Sequence, residues 1–65
     1  MSYHVYADYG DSIQAPFPGG EYNLDFPSRL MALRHAHKCA EEGALFVDVT
    51  DPHGNLVWDN ENGFH

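Results

Sequence analysis

Positive charge is scarce in this chain. Three Lys+Arg stand against ten Asp+Glu, a formal net charge of −7 with the five histidines neutral. Holding nucleic-acid phosphates takes several cations on one surface, and Arg29, Arg34 and Lys38 are the whole supply, so direct nucleic-acid binding is excluded. Docking on an anionic membrane fails for the same reason. No run approaches the ~18 apolar residues of a bilayer span. The first residues lack both the basic and the apolar region of a signal peptide, so no leader is expected. Cys39 is the single cysteine, which rules out an internal disulfide and fits a reducing cytoplasm.

Aromatic residues, by contrast, are plentiful. At 43% hydrophobic and 14% aromatic, the acidity does not signal disorder. Sixty-five residues make one domain, 1–65, with one thin core that buries roughly 60% of the surface exposed on unfolding.

Tyr3, Val5, Ala7 and Tyr9 alternate with His4, Tyr6 and Asp8, the period of a strand, which ends at Gly10. Pro16, Pro18, Gly19 and Gly20 make Asp11–Gly20 a loop, in which Phe17 between two prolines either pins its own loop or serves as a rigid anchor. Glu21 to Phe26 alternates again and reads as a short edge strand. Ser28 suits a helix N-cap, Arg29–Glu42 runs without Gly or Pro, and Gly43 suits the C′ position. Ala32, Leu33, Ala36, Cys39 and Ala40 share one stripe of that helix.

Leu45–Thr50 and Asn55–Asp59 are strands joined through Asp51-Pro52-His53-Gly54, a type I turn with a G1 bulge. Counting from that turn pairs Asp51 with Asn55 and Val49 with Val57. Leu45, Val47, Val49 and Val57 then face the helix, while Phe46, Asp48, Thr50, Leu56 and Trp58 face away. Residues 60–65 read as a turn-rich tail. The expected architecture is α+β, one helix on a three- to four-stranded, mainly antiparallel sheet in the order β-(β)-α-β-β. The expected core is Val5, Ala7, Leu33, Ala36, Ala40, Val47, Val49 and Val57.

One helix covers one side of such a sheet. The other side would carry His4, Tyr6, Asp8, Phe46, Asp48, Thr50, Leu56 and Trp58, aromatic anchors set among carboxylates as at protein–protein interfaces. The alternative is that the tail or the 11–20 loop folds over it. All three cations lie between positions 29 and 38, which leaves the strand surfaces anionic. That asymmetry serves either solubility or attraction to a basic partner. The partner-binding residues are therefore Tyr6, Asp8, Phe46, Asp48, Leu56, Trp58, Asp59 and Glu61, on a monomer.

Chemistry finds less support. His35 and Cys39 are spaced i, i+4 and could share a metal with His37, His4 or His53, but no metal motif accompanies them, and no metal or cofactor is expected. Cys39, Ser12 and Ser28 lack the partners of a catalytic nucleophile. Ser2 stands where a tautomerase would need an N-terminal proline. No enzymatic activity is expected.

The short single domain, the strong acidity, the pattern from Tyr3-His-Val-Tyr-Ala-Asp-Tyr through Leu45-Phe-Val-Asp-Val-Thr and the absence of catalytic motifs together resemble the anti-CRISPR proteins of phages and mobile elements. The similarity is to the class that inhibits type I systems, type I-C among them. It covers the whole chain but no diagnostic motif, so no residue role is carried over. The resemblance implies stoichiometric inhibition: binding to a Cascade-type surveillance complex in the host cytoplasm and blocking its target DNA. The alternatives are a small regulatory subunit that does not compete with DNA, and a His/Cys metal-responsive domain.

Overall fold

The alternation in Tyr3–Asp8 and Glu21–Phe26 produces two strands, β1 and β2. The helix α1 spans Arg29–Glu41, and Phe46–Thr50, Leu56–Asp59 and Gly63–Phe64 form β3, β4 and β5. The computed structural model describes residues 1–10 and 20–65; all of the expected 11–20 loop but Gly20, with its Phe17 anchor, lies outside them. The fold is α+β, with α1 packed against one face of an antiparallel sheet ordered β2-β1-β3-β4-β5.

The helix begins where Ser28 accepts the Met31 N–H at 3.2 Å. It ends at Gly43, whose φ of 102° suits a residue without Cβ. Its inward stripe is Ala32, Ala36 and Cys39, all fully buried, flanked by the half-buried Leu33 and Ala40. These small side chains bring the helix close to Val5, Ala7, Val47 and Val49, which are fully buried on the facing sheet. The core is correspondingly thin.

The β3–β4 turn forms as its residues dictate. The Asp51 N–H donates to the Asn55 carbonyl at 2.8 Å, and Asp51 Oδ1 accepts the N–H groups of His53 and Asn55. Gly54 supplies the left-handed φ of 88°. The first pair beyond it, Thr50 with Leu56, is also as counted. The ladder then shifts by one residue: Trp58 pairs with Val49 and Asp59 with Asp48, leaving Val57 as an extra residue in β4.

That bulge corrects the expected register. Val57 does not pair with Val49, and Trp58 does not share a face with Phe46 and Asp48. Trp58 turns to the helix side, 7% exposed, and Val57 packs half-buried against the same core. Leu45, expected to face the helix, is exposed at the entry to β3. The 60–65 tail contributes a fifth strand, because the Asn62-Gly63 turn folds Phe64 back against Trp58. Phe64 stays largely exposed, with the Arg29 guanidinium 5.8 Å from its ring centroid.

Asn60 replaces a missing stretch of ladder. Its amide oxygen accepts the Val47 N–H at 3.0 Å while its amide nitrogen donates to the Leu45 carbonyl at 3.1 Å. One side chain thereby fastens the start of β3 to the end of β4.

Candidate functional site: the open sheet face

The uncovered face is assembled by register. Across the middle of the sheet run Asn23, Tyr6, Asp48 and Asp59, from β2 to β4. A second row holds Asp25, His4, Thr50 and Leu56, and a third Glu21, Asp8 and Phe46. Neighbouring strands lie about 4.8 Å apart. Five carboxylates thus share one side of a small sheet, while the three Lys and Arg of the chain all lie on α1, packed on the other.

Tyr6 stands at the centre. Its hydroxyl donates to Glu21 Oε1 at 2.8 Å. That bond, desolvation, and the charges of Glu21, Asp8 and Asp48 push the phenol up to about 12. At Asp48, partial burial and then the adjacent Asp59 raise the pKa, with His65 opposing them.

Asp59 is different. Its Oδ1 accepts the N–H groups of Glu61 at 2.9 Å and Asn62 at 2.6 Å, and its Oδ2 lies 2.7 Å from His65 Nε2. The backbone bond from Asn62 leads in lowering its pKa, followed by His65. Only 8% exposed, Asp59 holds the β4–β5 hairpin together and adds charge to the face without offering free oxygens. His4 bridges β2 in a similar way, with Nδ1 2.9 Å from Asp25 and Nε2 2.8 Å from Asn23. Those two bonds raise its pKa against the opposing effect of burial.

Of the residues expected from sequence to bind a partner, Tyr6, Asp8, Phe46, Asp48, Leu56 and Asp59 come together on this face. Phe46 is 48% and Leu56 39% exposed, so two apolar side chains border the carboxylates. Glu61 lies at the exposed β4–β5 turn. Trp58 is removed to the core. The face therefore has fewer aromatics than the sequence suggested and two more carboxylates, Glu21 and Asp25. The odd-numbered positions of the Glu21–Phe26 alternation carried that signal.

The residues of the alternative metal reading are not brought together as a cluster. Cys39 is fully buried on the inward helix stripe and His35 lies against Phe26, ring centroids 5.2 Å apart. Among the described residues no group of three or more His, Cys, Asp or Glu could hold a metal ion. None of their helices is long and apolar enough to cross a membrane. The chain matches no family model, no curated protein and no solved structure with which it was compared.

Proposed function

We propose that this protein is a non-enzymatic inhibitor that docks its open sheet face on a basic, DNA-binding surface of a protein partner. The observation that carries this reading is the separation of charge by layer: five carboxylates surround Tyr6 on the open face, and every Lys and Arg lies on the helix behind it. Such a surface attracts a cationic groove and orients the molecule on approach. Phe46 and Leu56 supply apolar contact at its border.

Acid–base chemistry is less well served there. A phenol held near 12 remains a hydrogen-bond donor at neutral pH, and the exposed carboxylates Glu21 and Asp25 keep access to water. The partner class implied by the resemblance to anti-CRISPR proteins is a type I surveillance complex in the cytoplasm, and the inhibitor would take the place of target DNA as a monomer.

The test is displacement. Added to a purified type I-C surveillance complex, the protein is expected to release labelled duplex DNA, less effectively as salt rises. Binding that excess duplex does not displace would instead support a regulatory subunit. Absence of binding would remove this partner.

A further inference from the structure

The outer edge of β2 has a defined chemistry. The Tyr9 N–H bonds to the Gly20 carbonyl, which makes that pair the first hydrogen-bonded rung between β1 and β2. Antiparallel rungs alternate, so the bonded pairs continue as Ala7 with Tyr22, Val5 with Leu24 and Tyr3 with Phe26. The backbone N–H and C=O groups of Glu21, Asn23 and Asp25 consequently point outward. Among the described residues no strand pairs with that side of β2.

The same three residues place their side chains on the open face, where two are held in position: Glu21 by the Tyr6 hydroxyl and Asp25 by His4. Leu24 and Phe26 lie on the helix side, Leu24 exposed and Phe26 half-buried. A ladder unpaired among the described residues is thus flanked by fixed carboxylates on one face and apolar surface on the other.

We propose that this edge takes up an extended segment of the partner as a sixth strand, with basic residues opposite Glu21 and Asp25 and apolar residues between them. The inference rests on the reading of the open face as a surface for a basic partner and adds the form that partner takes. Backbone bonds supply affinity in strand addition and alternate side chains supply specificity. A second copy of this chain does not fit. Every antiparallel register that joins the outward groups of two copies sets two rows of carboxylates side by side, between molecules of charge −7.

The probes are a short peptide alternating lysine and valine, and the same peptide N-methylated on its lysine backbone amides, which keeps the charge and removes the ladder donors. The unmethylated peptide is expected to bind, slow amide exchange at Glu21, Asn23 and Asp25, and bind at least about tenfold tighter than the methylated one. Asn23→Pro, which removes an outward N–H and no internal rung, should reproduce the loss, whereas Asn23→Ala should not. Equal binding of both peptides, with resonances shifting around Tyr6 and Asp48, overturns strand addition and leaves the face reading intact. No binding of either peptide also overturns it, and DNA displacement then decides the face reading separately.

Discussion

The indole of Trp58 lies against the imidazole of His37, with ring centroids 4.7 Å apart and planes inclined by 48°. This contact ties β4 to the helix and places the largest aromatic of the chain between the two layers. The emission of Trp58 should accordingly be that of a shielded indole, poorly quenched by iodide. Trp58→Ala should cost about 3–5 kcal/mol, the usual loss for a buried large aromatic, and leave little of a small domain's stability. Free quenching in the folded protein would contradict the placement.

The position of Trp58 also shows where the sequence was legible. Strand and helix periods, the Ser28 cap, the Gly43 stop and the Asp51–Gly54 turn each depend on neighbours close in the chain, and each formed as read. Register beyond Leu56 did not. One extra residue, Val57, reverses the facing of everything after it, and no turn residue or glycine marks the bulge. On the open face, Tyr6, Asp8 and Asp48 were legible because β1 and β3 are unbroken. The structural duty of Asp59 was not, because it depends on a hairpin with the tail.

Asp48 should show the opposing demands of folding and docking. Its carboxyl has a raised pKa in the folded protein, so its charge weighs against folding at neutral pH and is relieved as pH falls through that raised value toward 3.8. Asp48→Asn is therefore expected to raise stability slightly, on the order of 0.5 kcal/mol, and to weaken partner binding. Loss of stability in that variant, measured by urea unfolding, would contradict the assignment.

The two histidine–carboxylate contacts should respond to opposite ends of the pH scale. His4 has a raised pKa, so its bonds across β1 and β2 stabilise fully below 6.5 and are lost as pH rises through the folded value. Asp59 has a lowered pKa, so its contribution is full above 3.8 and is lost as pH falls through the folded value. The Tm difference between the protein and His4→Gln should be largest in mild acid and shrink on the alkaline side. For Asp59→Asn the difference should be largest at neutral pH and shrink in strong acid. Gaps that do not change with pH would contradict both assignments.

Asn60 should matter more than its position in a turn suggests, since its side chain meets both Val47 and Leu45. Asn60→Ala is expected to cost about 1–2 kcal/mol and to speed amide exchange at Val47 before the rest of β3. Uniform exchange along β3 would argue against this local role.

Charge reversal at one residue tests the docking surface most directly. Asp48 sits amid the carboxylates of the open face without the hairpin contacts that make Asp59 structural, so Asp48→Lys changes the field and spares the β4–β5 turn. The measurement is displacement of labelled duplex DNA from a type I surveillance complex by the parent protein and by Asp48→Lys, both shown to be folded. The expected result is inhibition by the parent and at least about a tenfold weaker effect of the variant, with the gap narrowing as salt is raised. Equal inhibition by the two proteins at low salt would contradict docking through the anionic face.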